Sequence, residues 1–366
     1  MFRISSTGVR NVARYLRFHW QLTTSTLTDY RTYARSAWAN PRNNSHANRL
    51  GQLSVYAHAL EKGLSHADLR MPFGHLPMAN MLTVLRKHLV AGQVEDERVG
   101  LAIATGQSVV EEHARHGVQL PGHAQELQDI LNRTLDSKQP GPVATVGARV
   151  ESGDRAAIHS EEFATFVRSR HSVRNFSSAT VDPASISEAV ATAVHSPSSC
   201  NRQPWKVHVA SEPTSIRKLL ELQGGLRGWD QPGKLLVVAA DSAMYGNPYE
   251  RVAPYVDGGL FAMTLVLALH AEGMATCMLN ANQPPSVLSE VHTLLGMDPS
   301  ELIVCYIALG YPKDSFRVPV SARVPVSSVI RGESHAGFTE AVHRTAPRGT
   351  ESSRGPVPRV PPGESS

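Results

Sequence analysis

Apolar residues along this chain recur with two different periods, and the change of period divides it. Between residues 41 and 138 the spacing is helical. Leu53, Tyr56, Leu60 and Leu64 fall three to four apart, as do Met81, Leu82, Leu85 and Leu89. Leu120 to Leu135 continue the pattern after Pro121. Gly63 is expected to end a helix, and Phe73-Gly74 to turn the chain before another at Met78. Gln139-Pro140-Gly141-Pro142 and the stretch Val143 to Gly153 read as a linker rich in turn formers. From about Glu161 to Ile330, short β-branched runs alternate with helical stretches. Val207–Ala210, Leu235–Ala240 and Ile303–Leu309 predict strands, whereas Ala184–His195 and Val256–Glu272 predict helices rich in small residues. Such alternation specifies a layered α+β or α/β protein. From Arg331 onward, Pro347, Pro356, Pro358, Pro361 and Pro362 stand among many Ser, Gly and Arg residues, which predicts a disordered tail. The expected organisation is a basic N-terminal segment (1–40), a helical extension with linker (41–150), a layered domain (160–330) and the tail (331–366).

Composition narrows the function classes. The 366 residues suggest two domains, or one large domain with extensions. Lys and Arg number 36 against 32 Asp and Glu, a formal +4 that gives no reason to expect a nucleic-acid partner. The longest apolar run, Leu260 to Leu269 broken by Thr264, falls short of the ~20 residues a membrane-spanning helix needs. Cys200, Cys277 and Cys305 are too scattered for a disulfide framework or a zinc site, which fits a reducing, cytoplasmic setting. The N-terminus is unusual. No acidic residue precedes Asp29, and Arg10, Arg14 and Arg17 form one stripe of a helix. Such a start can lie on a membrane surface or be a transit peptide. The apolar face beside it reads as short and irregular, so a packed helix with solvent-facing arginines is preferred, and a weak membrane-surface contact stays open.

Absent motifs exclude several chemistries. No G-x-G-x-x-G follows a strand, and there is no P-loop, G-x-S-x-G elbow or H-E-x-x-H helix. Among seventeen histidines, His113 and His116 are the tightest pair, and they read as part of a solvated helix face rather than a metal site. No metal is expected.

Two segments carry candidate chemistry. Residues 168–176 read Arg-Ser-Arg-His-Ser-Val-Arg-Asn-Phe. In an extended chain Arg170, Ser172 and Arg174 point to one face, where two guanidinium forks around a hydroxyl would suit an anion. An exposed edge strand would explain the same residues. Further on, Pro197-Ser198-Ser199-Cys200-Asn201-Arg202-Gln203-Pro204-Trp205 lies between a helix and a strand. A loop so rich in donors and acceptors suits polyol hydroxyls and a heterocycle edge.

Together these segments resemble the FMN-dependent nitroreductase family, with its Arg-x-Ser-x-Arg/Lys run and, some 25 residues on, Pro-Ser-x-x-Asn-x-Gln-Pro-Trp. Gly273-Met274-Ala275-Thr276-Cys277-Met278-Leu279-Asn280 is similar to the family segment that passes the flavin ring. Gly310-Tyr311-Pro312 and Ser321-Ala322-Arg323-Val324-Pro325 are similar to its closing pattern. The resemblance implies an α+β, nitroreductase-like fold: a central, mostly antiparallel sheet flanked by helices, in an interlocked homodimer. It implies FMN as cofactor, held at the phosphate by Arg170, Ser172 and Arg323, with His171 beside them and Arg174 at the pyrimidine edge. Pro197, Ser198, Ser199, Asn201 and Gln203 would approach from the partner subunit, and Met278, Leu279 and Asn280 would line the ring. NADH or NADPH would be the transient donor, and a nitro, quinone or related small molecule the acceptor. One departure stands out: Ser321 occupies a position where many relatives carry Lys. Iodotyrosine deiodinases share the cradle, and no lid residue of theirs is identified here.

The helical half has its own resemblance. Tyr56–Ser65 and Arg70-Met71-Pro72-Phe73-Gly74 are similar to an extension on a nitroreductase-like subgroup associated with polysaccharide biosynthesis. A packing or lid role is expected of it ahead of direct chemistry. The alternative to an enzyme is a non-catalytic flavin-binding accessory or sensor protein of such a biosynthetic assembly.

Overall fold

The computed structural model describes residues 6–93, 96–137, 146–150 and 158–330. The expected tail, residues 331–366, and most of the expected linker lie outside them. The chain divides into two units, Met1–Val318 and Pro319–Ser366, and everything in this subsection belongs to the first.

Five helices come first: α1 (Ser6–Ser36), α2 (His46–Leu64), α3 (His75–Val90), α4 (Glu97–Arg115) and α5 (Pro121–Ser137). Helices α2 to α5 bury one apolar core that includes Leu53, Leu60, Met81, Leu82 and Leu85, residues whose spacing marked the helical half, together with Leu50 and Ile103. Ser45 starts α2 with a capping box, accepting from the amide of Asn48 while the Asn48 side chain accepts from its own. Gly63 does not end α2. It sits in the last turn, where a Cβ would fall 2.6 Å from the Phe73 ring, so the missing side chain makes room for that ring.

His113 corrects the sequence reading. It is fully buried, accepts from the Phe73 amide at 3.1 Å through Nε2 and bonds the Val109 carbonyl through Nδ1. Only His116 faces solvent. Among the described residues, no group of three or more His, Cys, Asp or Glu residues is placed to hold a metal ion.

The remaining elements are α6 (Ser160–Ser169), α7 (Pro183–Ala193), β1 (Trp205–Ala210), α8 (Pro213–Gln223), β2 (Lys234–Asp241), α9 (Ala253–Ala271), β3 (Ala275–Asn280), α10 (Pro285–Leu295) and β4 (Glu301–Gly310). The sheet runs β1-β2-β4-β3 and every pairing is antiparallel. Its two inner strands are almost wholly buried, which is why they read as continuous apolar runs. One face packs under α8 and α10 around Leu219, Val237 and Tyr306. The other packs under α7 and α9 around Val238, Phe261, Leu265 and Ile307.

Helix α9, with the turn before it, is long and apolar enough to cross a membrane by length and composition (Pro248–Ala271), contrary to the expectation from run length. Half of it is buried inside the protein, and Gly258 lets it press on β4, since a Cβ there would lie 2.5 Å from Val304.

Helix α1 packs on the protein with Arg10, Arg14 and Arg17 exposed, as expected, but its large apolar residues do not pack: Val12, Leu16, Trp20, Leu27 and Tyr30 lie along one side and Tyr15, Phe18 and Leu22 beside them, all exposed. The helix rests on the protein through its other side, using Thr28, Thr32 and Ser36. Ser36 Oγ lies 2.7 Å from Ser242 Oγ, and Tyr33 donates to the Asn247 carbonyl.

The helical half is joined to the sheet by close backbone contacts. Buried Asn48 donates to the carbonyls of Ser36 and Ala243, at 2.6 and 2.9 Å. A Cβ on Gly51 would stand 2.4 Å from the Met244 carbonyl oxygen, so α2 lies directly on that segment.

Candidate functional site

The arginine segment begins where α6 stops. Arg170 is extended, Ser172 bridges Thr276 of β3 in parallel, and the Val173 amide donates to the Thr276 carbonyl at 3.0 Å. Val173 and Phe176 are buried and anchor the segment, and Phe176 bridges Pro312. Alternation about buried Val173 turns Ser172 and Arg174 to the other side; Arg170, Ser172 and Arg174 are half-buried, with His171 exposed.

Neither Arg170 nor Arg174 makes an ion pair among the described residues; Arg174 donates to the Ser172 carbonyl at 3.2 Å. Their field reaches β3. Burial pushes the Cys277 thiol up, and Arg174 and Arg170 pull it back down. Burial likewise lowers the His270 imidazole, and Arg170 lowers it further. His270 bonds Ser169 at 2.8 Å and flanks a cavity of about 120 Å3 together with Arg170, His171, Thr276 and Phe316. Along β3, Met278 and Asn280 are exposed, whereas Leu279 turns into the core with 8% exposure. The side chain of Leu279 is therefore not available to a ligand there. Arg323 lies in the second unit, where its guanidinium donates to the Ser321 carbonyl and Ser321 takes a left-handed φ of 46°.

The Ser-Asn-Gln loop is built quite differently. Cys200, Asn201 and Gln203 all adopt left-handed backbone, with φ of 52°, 50° and 51°. For residues other than glycine each costs about 1–2 kcal/mol, so the surroundings must impose it. They do so through Asp257 of α9, which is 2% exposed. Its carboxylate accepts from the Ser199 amide at 3.0 Å, from Ser199 Oγ at 3.4 Å and from Tyr245 Oη at 2.6 Å. Its carbonyl accepts from Trp205 Nε1 at 3.0 Å, and the Trp205 ring stacks on Phe261. Burial, then the adjoining carboxylate of Asp257, raises the Tyr245 phenol far above its ordinary value.

Buried Arg202 closes the network. It donates to the Ser199 carbonyl, pairs with Glu250 at 2.8 Å and lies over the Tyr245 ring. Ser198 Oγ accepts from the Gln203 amide, and the Gln203 side-chain amide donates to Asn201. Pro197 and Asn201 are exposed at the tip.

Asp257, Arg202, Glu250 and Tyr245 escaped the sequence reading. One signal was available: Asp257 is the only acidic residue in the otherwise apolar helix α9. The helical half also reaches this loop. Arg98 of α4 donates to the Gln203 carbonyl at 3.2 Å. A cavity of about 660 Å3 is lined by His58, Glu61, Arg98 and Thr105 on one side and Asn201 and Gln203 on the other. Burial raises the Glu61 carboxyl, opposed by the Gly147 amide, and lowers the His58 imidazole.

The structure does not bring the two segments together. The arginine segment lies along β3 at one edge of the sheet, and the Ser-Asn-Gln loop enters β1 at the other. Three interstrand steps, about 14 Å, separate those edges.

Comparison with known proteins agrees with this architecture. The model of the nitroreductase family matches residues 167–226 and 221–311. The C-terminal half has a nitroreductase-like fold. The chain is 26% identical over 225 residues to the 4-nitrobenzoate reductase of Pseudomonas putida, covering 49% of this chain and 97% of the relative. It is 24% identical over 240 residues to the iodotyrosine deiodinase of Drosophila melanogaster, covering 57% and 80%. Among solved structures, the nitroreductase family protein of Streptococcus pneumoniae superposes with a TM-score of 0.40 at 21% identity, over 46% of this chain and 99% of that one. The nitroreductase-like region thus holds both candidate segments, and the helical half stands outside the family match.

Proposed function

We propose that the protein is an FMN-dependent oxidoreductase that passes hydride from NADH or NADPH to a nitro, quinone or related acceptor. One observation carries the reading: a half-buried row of Arg170, Ser172 and Arg174, without acidic partners among the described residues, held beside the exposed Met278 of edge strand β3. The donor set suits the group. Arg170 and Ser172 would hold a phosphate, a fork and a hydroxyl being the ordinary ligands of an oxyanion. Arg174 would keep a positive charge at the pyrimidine edge, where reduction leaves negative charge. When bound, FMN supplies two-electron hydride acceptance and return.

The remaining residues exclude water and orient. Met278 offers an apolar surface and Asn280 an amide beside it. The cavity at the cradle has room for a phosphate and little more, and the Ser-Asn-Gln loop is at the opposite sheet edge. Both facts favour a homodimer in which Pro197, Ser198, Ser199, Asn201 and Gln203 of one chain complete the site of the other. The left-handed backbone of that loop, with its own amides bonded internally, would then serve to present Pro197 and the Asn201 side chain at the tip to a neighbour.

The test is direct. Full-length protein, as purified or after reconstitution with FMN, should show flavin absorbance that bleaches under anaerobic NADH or NADPH and returns on adding a quinone. Bound flavin that neither donor reduces would leave a binding protein and no enzyme.

A further inference from the structure

A second and larger cleft, about 870 Å3, lies between the helical half and the end of the sheet, and none of the chemistry above uses it. Its walls carry an excess of cations. Arg31 and Arg35, one turn apart on α1, share a face, Arg42 lies in the turn before α2, and Lys206 projects from β1. None of the three arginines makes an ion pair among the described residues.

The carboxylates nearby are mostly engaged. Asp96 caps α4 through the Arg98 amide at 2.9 Å and faces His46 and Arg98 at 3.5 and 3.8 Å. Asp241, 6% exposed, is turned to the Ala243 amide at 2.9 Å. Among the described residues, only Asp298 remains at the rim without such a role. Arg31, Arg35 and Arg42 line one space with Lys206, whose charge Asp241 partly offsets; like charges there repel each other, and an anion with several oxygens relieves that repulsion. The floor is polar as well, with Asn48 and Ser36, which disfavours an apolar ligand. The volume falls in the range of small-molecule sites, about 300–1,000 Å3.

We propose that this cleft binds the phosphate groups of a phosphorylated small molecule of nucleotide size. Guanidinium forks from two elements, Arg31 and Arg35 on one side and Arg42 on the other, clasp the phosphate oxygens, and Lys206 adds a point charge. The cleft adjoins the 660 Å3 cavity, with Asp96, Arg98 and Gln203 lining both. The phosphates therefore come from one of two sources: the nicotinamide donor itself, lying across both cavities, or a separate phosphorylated compound. The site stands on its own charges and geometry, independently of whether flavin binds.

The experiment is calorimetric titration of the full-length protein with ADP, inorganic pyrophosphate and adenosine at low salt, repeated on R35A/R42A, whose melting temperature is checked against wild type. ADP and pyrophosphate should bind and adenosine should not. The double variant should lose about tenfold or more in ADP affinity, and R35K/R42K should recover part of it. Absence of ADP and pyrophosphate binding in wild type, or equal affinity in the folded double variant, overturns the proposal. A donor assay separates the sources. ADP that raises the KM for NADPH at constant kcat assigns the site to the donor's phosphates. ADP that leaves donor kinetics unchanged, while still binding in an R35/R42-dependent way, assigns it to a separate ligand. If the protein binds no flavin, the titrations remain readable and only the proposed function falls.

Discussion

The two candidate segments of the nitroreductase-like region solve opposite problems. The arginine segment is cheap to build: ordinary extended backbone, one bridge to β3 and two buried anchors leave the side chains of Arg170, Ser172 and Arg174 with no internal bond among the described residues beyond that of Arg174 to the Ser172 carbonyl. The Ser-Asn-Gln loop is costly. Three of the four residues 200–203 sit in left-handed backbone, and a buried carboxylate, a buried guanidinium and a buried phenol hold them there. The difference teaches where perturbation will be felt. Arg170, Ser172 and Arg174 can be changed without touching the buried anchors Val173 and Phe176, so their loss reads out as lost ligand. The second segment is a small machine whose parts are also structural.

That contrast can be broken, and the largest effect is expected at Asp257. Replacing it with Ala strands the Ser199 amide and the Tyr245 hydroxyl in a buried space. Thermal or urea unfolding should show a loss of about 3–5 kcal/mol, and a loss under 1 kcal/mol would mean the loop holds its shape without the carboxylate. A background effect from the helical half has to be subtracted in acid. His88 is fully buried, and its imidazole is pushed down to about 4, chiefly by burial. Its folded pKa lies below the unfolded one, so the unfolded chain takes up the proton first. Stability is whole above about pH 6.5 and drains away as pH falls toward 4, by about 3 kcal/mol in all. Melting curves from pH 7.5 to 4.5 should show that slope, and His88→Gln should flatten it.

The cradle comes next. Arg170→Ala should weaken FMN retention by about 1.5–3 kcal/mol, measured as a flavin dissociation constant, while the melting temperature of the flavin-free protein stays put. A clear drop in that temperature would make Arg170 structural and erase the distinction. The smallest effect sharpens it. Asn201→Gly removes left-handed strain and should stabilise the fold by about 1 kcal/mol or less. If the loop serves the partner's flavin, the same change should slow acceptor reduction.

How much of this was legible beforehand follows from what each element asks of its residues. The inner strands β2 and β4 bury both faces and so announce themselves as apolar runs. Strand β3 was not read as a strand, because Ala-Thr-Cys-Met-Leu-Asn has weak alternation and owes its conformation to pairing with β4. The arginine segment was legible because alternation alone puts Arg170, Ser172 and Arg174 on one face. The loop's residues were legible as a pattern, but its rigidity was not: Asp257 lies more than fifty residues away along the chain, and its partners meet only in space. His113 misled for the converse reason. A histidine amid Glu and Arg reads as solvated, and only the tertiary approach of Phe73 buries it. Helix α1 was legible as packed with its arginines toward solvent, but not which face packs: its threonines and serines rather than its leucines face the protein.

The close fit of Gly51 against Met244 reaches beyond packing. No side chain of any size can be grafted at that position without prising a helix off the strand end beneath it, and Asn48 ties the same spot to two carbonyls. A fragment trimmed to begin near residue 160 would lose Asn48 and expose the Ala243 carbonyl and the groove where α2 rests, so it would not be a minimal version of this protein. The two halves must be expressed, purified and varied as a single body.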